Sequence, residues 1–340
     1  MENGSSAAEL PRVGFSIGEP GGIGPQLLFQ LLAQEGWEDR FIPVIFAHRR
    51  VVERWRGFLG LSTLRYHRIS RPEEAQPGQL NLMECAPLQD ILIGKPSAEG
   101  GRLARQAFQA AVQAAQAGSL NLLVSLPVDK STFYEEETFP YRGHTEYLRA
   151  LYPDTPPLMV MVGQTLRVAL VTEHLPLAEV ASALSAEKVE QALRTFIAAL
   201  KRDFAVPKPR IAVLALNPHA GDEGLLGKEE KTWLAPLLEK FREEGHFIGG
   251  PFAADGFFGS RQYTQVEGIL ALYHDQGLIP FKLLEGWEGF QYTAGLPFVR
   301  TSPDHGVAYD KVGREEADPS SLSSAIWEGL AIWHRRQAHP

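Results

Sequence analysis

Short apolar runs with no polar alternation, each followed by an amphipathic stretch, recur along the whole chain, and this constrains the fold more than any other feature. RVGFSI, FIPVIFA, LNLLVSLP, VALV, IAVLAL and GILALY are of this kind. A run that is apolar at every position suits a strand buried on both faces, which is the environment of a parallel sheet covered by helices. The intervening stretches have helical spacing. PQLLFQLLAQ places Pro25 in a first turn, RRVVERWRGFL is amphipathic, and in SAEGGRLARQAFQAAVQAAQAG residues Leu103, Phe108, Ala111, Val112 and Ala115 share a face. A helical pair is expected over about 176–203, one helix over KEEKTWLAPLLEKFREEG and a last one over SSLSSAIWEGLAIWHRR. The expectation is therefore an α/β fold with a mainly parallel sheet. Loops after strands are unusually rich in functional residue types, and such loops are where open α/β sheets place ligands.

With 340 residues, the length fits two domains, and clefts between domains favour small-molecule sites. Residues 1–10 read as a disordered tail, and the acidic stretch from Asp129 to Pro140 is the best candidate for a crossing point. The formal net charge of -8 and the absence of any Lys/Arg run beyond pairs such as Arg49-Arg50 argue against nucleic acid as a partner. No apolar stretch approaches the roughly 18 residues of a membrane span, and the N-terminus has no signal-like apolar segment. A soluble cytoplasmic protein is the expectation. Cys85 is the single cysteine, so an internal disulfide is impossible and any metal must rest on His, Asp or Glu.

The ten histidines thus become the residues to follow. His48, His67, His246, His334 and His339 read as surface residues. His144, His174, His219, His274 and His305 lie in loop-like segments rich in Gly, Pro or acidic residues. His174, His219 and His274 come directly after VALV, IAVLAL and GILALY. If those runs are parallel strands, the three imidazoles sit along one edge of a sheet, where they can form a catalytic divalent-metal site with open positions. Each of them is equally open to reading as an ordinary loop residue, because no short-range metal motif is present.

GEPGGIGP, from Gly18 to Pro25, follows a strand and opens a helix, the position of a phosphate-binding turn. Its glycines do not fit the dinucleotide fingerprint, and no Gly-Lys-Ser/Thr follows. A plain tight turn is the competing reading. Any nicotinamide cofactor must be held by something other than a standard Rossmann turn.

In order along nearly the whole chain, GEPGGIGP, SAEGGR, LPVDK, GHTE, LRVALVTEHLPL, LNPHAGDEGLLGKEE, ADGFF, YHDQGLIPFK and AGLPFVRTSPDHG resemble the motifs of the 4-hydroxythreonine-4-phosphate dehydrogenase family of pyridoxal 5'-phosphate biosynthesis. The resemblance implies metal ligation by His174, His219 and His274, with zinc first and magnesium, cobalt or manganese as alternatives. It implies substrate contact by His144, Thr145, Lys282, Gln291 and Arg300, where Gln291 stands in place of the family's usual Asn. Lys282 and Asp255 are the candidate catalytic side chains, with the general base left open. Asp255 and Asp275 are also candidates to orient ligand imidazoles or to cap turns. The segment after β-type run FVRTSP looks like the cofactor loop of the isocitrate and isopropylmalate dehydrogenases, which places NAD or NADP near His305 and Gly306. Those enzymes share the expected fold: two α/β/α sandwich subdomains with an active-site cleft between them, not a standard Rossmann domain. Residues 11–135 with 305–340 would form the first, and 136–304 the second, carrying most metal and substrate residues.

The implied activity is metal-dependent oxidation of 4-phosphohydroxy-L-threonine at C3. Coordination lowers the hydroxyl pKa, hydride passes to the nicotinamide, and the 3-oxo acid loses CO2 to give 3-amino-2-oxopropyl phosphate. A homodimer with the site at the subunit interface is implied as well. Gln291 keeps open a paralogous dehydrogenase of 4-phospho-D-threonate or 4-phospho-D-erythronate. A hydrolase using a metal held by three histidines, or a non-catalytic binder of phosphorylated ligands, are the readings from other classes. Both leave part of the motif set without a purpose.

Overall fold

The computed structural model describes residues 10–34, 36–87, 90–314 and 317–338, so nearly all of the expected N-terminal tail, and His339, lie outside the described residues. The chain divides into two compact units, residues 1–147 with 297–330 and residues 148–296 with 331–340. The boundaries differ from those expected at 135/136 and 304/305. The return falls earlier because Arg300–Pro303 is a strand of the first unit, paired with Leu122–Ser125. The last turns of the C-terminal helix group with the second unit, where Arg336 bonds to Asp203 and to the Leu296 carbonyl.

The first unit contains β1 (Arg12–Ser16), α1 (Ile23–Leu32), β2 (Ile42–Ala47), α2 (Arg49–Leu59), β3 (Tyr66–Ile69), β4 (Leu80–Glu84), α3 (Ala98–Gln116), β5 (Leu122–Ser125) and α4 (Lys130–Phe133), and α5 (His144–Leu151) begins in it. The second contains β6 (Leu158–Val162), β7 (Arg167–Leu170), α6 (Leu177–Ala183), α7 (Ala186–Arg202), β8 (Arg210–Leu214), α8 (Ala235–Glu243), β9 (Phe247–Phe252), α9 (Ala254–Gly259), β10 (Gly268–Ala271), α10 (His274–Glu285) and β11 (Phe290–Ala294). The chain then returns through β12 (Arg300–Pro303) and α11 (Ser320–Ala338).

In the first unit the strand order is β3-β4-β2-β1-β5-β12 and every neighbouring pair is parallel. β1, β2 and β5 are buried almost throughout, as their unbroken apolar runs require. Successive strands leave β1 on one side toward β2 and on the other toward β5, so β1/β5 is a topological switch point. The carboxyl ends of strands at such a point form a crevice suited to ligands. In the second unit the order is β11-β6-β7-β10-β8-β9. β7, β10, β8 and β9 are parallel, whereas β6 runs antiparallel to both neighbours. The pair β6 and β11 was not evident from periodicity, because LMVMV and FQYTA carry no turn signal that separates them from loop. Met161, Leu166, Val168, Leu170, Leu214, Phe257, Ile269 and Phe281 form the core under this sheet.

Helix boundaries follow local chemistry. Ser97 and Ser185 cap α3 and α7 by accepting from Gly100 N and Lys188 N at 2.9 and 3.3 Å. The helix expected over 228–245 starts instead with a π-helical turn, Glu230–Leu234, before α8. Glu230 is buried there and accepts from the backbone and side-chain amides of Asn217 at 2.8 and 2.9 Å. Widening the first turn keeps that carboxylate turned toward the segment bearing His219.

Candidate active site

The carboxyl ends of three adjacent parallel strands of the second unit carry the expected metal residues. β10 lies between β7 and β8, and His274, His174 and His219 follow these three strands in turn. The His174 and His274 rings are 5.8 Å apart, centre to centre. His274 is not in a loop, as its sequence context implied, but opens α10, and its Nδ1 lies 2.7 Å from Asp275 Oδ1. A carboxylate accepts only, so Nδ1 carries the proton and Nε2 is left with its lone pair for a metal. Of the two candidate orienting carboxylates, Asp275 is thus the one seen against an imidazole, whereas Asp255 sits exposed in the first turn of α9.

His219 is exposed and starts a run of left-handed backbone, with φ of 51° at His219 and 53° at Ala220. Positive φ in non-glycine residues costs energy and persists only when the surroundings enforce it. Just before this run, the backbone and side-chain amides of Asn217 are held by Glu230. Among the described residues no three His, Cys, Asp or Glu side chains form a group that could hold a metal ion. The structure thus places His174 and His274 side by side, and the three expected ligands do not form a metal-holding group among the described residues.

A second constellation is buried in the first unit. Arg300 on β12 is completely enclosed and donates from Nε to Ser125 Oγ at 2.8 Å, with a further bond from its terminal nitrogen to the same oxygen. Another terminal nitrogen contact reaches His144 Nδ1 at 3.2 Å. His144 is 8% exposed and packs on Phe108 and Phe133, with ring centres 4.1 and 5.3 Å away. Burial, with the Arg300 charge adding to it, pushes its pKa well below the usual histidine value, so the ring is neutral. Arginine can only donate, which makes Nδ1 the acceptor and places the ring proton on Nε2. His144 Nε2 is buried and has no hydrogen-bond partner. An orphaned buried donor costs roughly 1–3 kcal/mol, and an acceptor oxygen on a ligand would relieve it. Thr145 follows in the same helix turn, half-buried.

The candidate cofactor residues lie at the carboxyl end of β12. His305 Nδ1 is 3.0 Å from the Gly306 carbonyl, so Nδ1 is the donor and the buried, unpartnered Nε2 is an acceptor. Burial lowers the pKa of this ring too. Beside it runs the glycine loop, in which the amides of Glu19, Gly21, Gly22 and Ile23 are engaged. Glu19 N donates to Pro127 O at 2.8 Å, Gly21 N to the Glu19 carboxyl at 3.2 Å, Gly22 N to Glu19 O at 3.1 Å and Ile23 N to Val307 O at 2.9 Å. The tight-turn reading therefore fits these four positions, whose amides are committed to the protein's own oxygens. At Gly18, with φ of 65°, a Cβ would lie 2.3 Å from the Pro127 carbonyl. The glycine serves close approach of two loops, not anion binding.

The remaining candidates belong to the second unit. Lys282 is exposed in the last turn of α10, two turns from His274. Gln291 lies on β11 opposite Met161, with a buried Nε2 that finds no partner. Sequence reasoning did not single out Ser125, Asn217, Glu230 or Glu19, which hold or surround these groups. Only Glu19 and the NP pair of NPHAG had a local signal, since an acidic residue inside a Gly/Pro turn and an Asn before proline both favour specific turns.

Residues 39–328 match the family described as pyridoxal phosphate biosynthetic protein PdxA. The 4-hydroxythreonine-4-phosphate dehydrogenase of Bacteroides thetaiotaomicron is 38% identical over 328 residues, covering 96% of this chain and 90% of that protein. The enzyme of the same name from Paracoccus denitrificans is 36% identical over 318 residues, 92% of this chain and 94% of its own length. Among solved structures, the 4-hydroxythreonine-4-phosphate dehydrogenase of Klebsiella pneumoniae superposes with a TM-score of 0.80 at 31% identity, over 96% of this chain and 99% of that one. A terephthalate 1,2-cis-dihydrodiol dehydrogenase from Burkholderia xenovorans shares the fold at a TM-score of 0.62 and 25% identity, over 96% and 98% of the two chains. Matches of this length, in both sequence and fold, establish that the chain belongs to the PdxA family of pyridoxal phosphate biosynthetic proteins.

Proposed function

We propose that this chain oxidises 4-phosphohydroxy-L-threonine at C3 with NAD or NADP and a divalent metal, giving a 3-oxo acid that decarboxylates to 3-amino-2-oxopropyl phosphate. The observation that carries this reading is the enclosed Arg300–His144 pair, a cation and an unpaired N–H donor held ready for an anionic, oxygen-rich ligand. Relatives that match this chain over nearly its whole length carry the corresponding enzyme name.

The residues divide the work by their chemistry. His144 Nε2–H donates to a substrate oxygen, Arg300 supplies positive charge, and Thr145 adds a hydroxyl beside them. Lys282 is the exposed cation for the phosphate and, with Asp255, a candidate to move the proton that leaves the hydroxyl. Gln291 offers its unpartnered amide to the substrate. His174 and His274 would hold the metal, zinc in first place, with Asp275 fixing the His274 tautomer. The bound groups supply Lewis-acid polarisation of the substrate oxygen and a hydride acceptor. His305 Nε2 and the Gly306 backbone would meet the nicotinamide nucleotide.

His219 completes the set through a second copy of the chain. Each histidine-bearing segment exposes large apolar side chains: Leu177 after His174, Leu225 after His219 and Leu283 after His274 are 75, 82 and 81% exposed. Leucines so exposed beside ligand residues suit a surface covered by a partner. The reading is therefore a homodimer with its site at the interface, located in the cytoplasm.

The test is to incubate the purified protein with 4-phosphohydroxy-L-threonine, a divalent metal and either NAD+ or NADP+, following reduced-nicotinamide absorbance. Turnover is expected. Silence here but activity with 4-phospho-D-threonate or 4-phospho-D-erythronate would replace the substrate, and silence with all three would overturn the dehydrogenase reading.

A further inference from the structure

Arg300 and His144 serve a ligand only if both are turned the right way, and a small residue to which the proposed chemistry gives no part stands behind them. Ser125 is the last residue of β5 and is fully buried. The neighbouring strand β12 grips it twice. Arg300 donates to its Oγ from Nε at 2.8 Å and also from Nη2, and Ser302, two residues further along β12, donates from Oγ to its carbonyl at 2.9 Å. The place of this hydroxyl is therefore set by the sheet.

Two bonds to one oxygen fix the guanidinium. The Nε proton and one Nη2 proton lie along the same edge of a planar group, so an acceptor that takes both sets the plane and its rotation. The second Nη2 proton then points away from that edge, and His144 Nδ1 lies 3.2 Å from Nη2. Packing on Phe108 and Phe133 holds the imidazole in place but does not choose which nitrogen carries the proton, because both neighbours are apolar. Burial keeps the ring neutral. The choice thus falls to the Arg300 donor: Nδ1 accepts, and the buried, unpartnered Nε2 carries the proton. A carboxylate in place of Ser125 would orient the guanidinium equally well but would cancel its charge. A hydroxyl orients it and leaves the charge for a ligand.

We propose that Ser125 is a positioning residue for the oxidation: through Arg300 it fixes the tautomer of His144 and so presents Nε2–H to an anionic oxygen of the phosphorylated substrate. This rests on the reading that the Arg300–His144 niche receives the substrate. Without the hydroxyl, that edge of Arg300 loses the bonds that set its plane. Nη2 then no longer aims at Nδ1, and the neutral ring divides between its two tautomers.

The first measurement takes the ring-nitrogen NMR shifts of the full-length protein, with isotopically labelled histidine and no ligand, at about pH 7.5, above the ordinary histidine pKa. Among the ten histidines, the His144 signals are the pair that disappears in His144→Gln. The wild type is expected to show one protonated and one unprotonated nitrogen, with the proton on Nε2. Ser125→Val should draw the two shifts toward each other, whereas Ser125→Thr, the same shape with the hydroxyl kept, should leave them as in the wild type. The second measurement is steady-state kinetics with 4-phosphohydroxy-L-threonine. Ser125→Val should raise KM about tenfold, the cost of one hydrogen bond to a charged group, with a much smaller change in kcat. Ser125→Thr should restore KM. Wild-type ring shifts in Ser125→Val, or a KM raised as far in Ser125→Thr as in Ser125→Val, overturn the proposal while the dehydrogenase reading stands. If the wild type turns over none of the three candidate substrates, the dehydrogenase reading falls, and the ring shifts still decide whether Ser125 sets the tautomer. Ser125→Ala adds no bulk and should behave as Ser125→Val; it replaces the larger variants in both measurements if thermal melts show that these do not fold.

Discussion

The Arg300–His144 niche and the histidine edge of the second unit are built on opposite principles. In the niche, β5, β12 and α5 bring together a fully buried guanidinium and a neutral imidazole that contact each other and Ser125, with the imidazole Nε2 a buried donor left without a partner. Desolvation has already been met by folding, so a ligand finds its partners oriented. At the histidine edge the three candidate ligands are exposed or half-exposed, one sits on left-handed backbone, and among the described residues no three such side chains form a metal-holding group. Buried strand residues are oriented by the fold that encloses them, whereas side chains on strand-end loops keep the freedom that exposure leaves them.

The largest effect that would break this contrast is expected from His219→Ala. If His219 is a ligand, metal-dependent turnover should fall by more than the roughly 10- to 100-fold cost of losing an outer-shell partner, with circular dichroism unchanged. Retained metal content and activity would remove it from the set. Next in size is Arg300→Met. Loss of a fully buried donor orphans Ser125 Oγ and should lower folding stability by about 2 kcal/mol, seen in denaturant melts, together with a raised KM for the phosphorylated substrate. Wild-type stability would show that the niche is not preorganised.

Asp275→Asn should weaken metal affinity by about 10- to 100-fold without destabilising the fold, because it frees the His274 tautomer. An unaltered affinity in a metal-competition titration would reduce Asp275 to a helix-end residue. His144 gives a smaller effect with a defined sign. Its folded pKa lies below its unfolded value, so on acidification the unfolded chain takes up the proton first. The stability it contributes is complete above the unfolded value, about 6.5, and is lost at up to about 1.4 kcal/mol per pH unit below it. His144→Gln should flatten that part of the urea-melt profile. Gln291→Asn should shift substrate preference by about 1–3 kcal/mol, the value of one methylene. Identical kcat/KM ratios for the three candidate substrates would dismiss it as a specificity residue.

Much of this was legible in sequence because it depended on period and composition. Unbroken apolar runs located β1, β2, β5, β7, β8 and β10, and the position of histidines directly after three of them anticipated their place at one sheet edge. What escaped were features set by partners distant in sequence. The antiparallel β6 is defined by pairing with β11, some 130 residues away. Glu230, although spaced as a surface helix residue, is drawn inward by Asn217, and this converts the helix start into a π turn. The glycine loop had the position of an anion site, yet its amides are taken by Pro127, Glu19 and Val307.

By itself the sequence determined the α/β class, the residues available for metal, phosphate and nucleotide, and the family they belong to, since these follow from residue type and order. Only the tertiary structure decided which of those residues are enclosed, which ring nitrogen carries a proton and which carboxyl has its pKa raised by burial. Protonation and tautomer depend on burial and on the donor or acceptor placed opposite, and for His144, His274 and Glu19 that neighbour is fixed by folding.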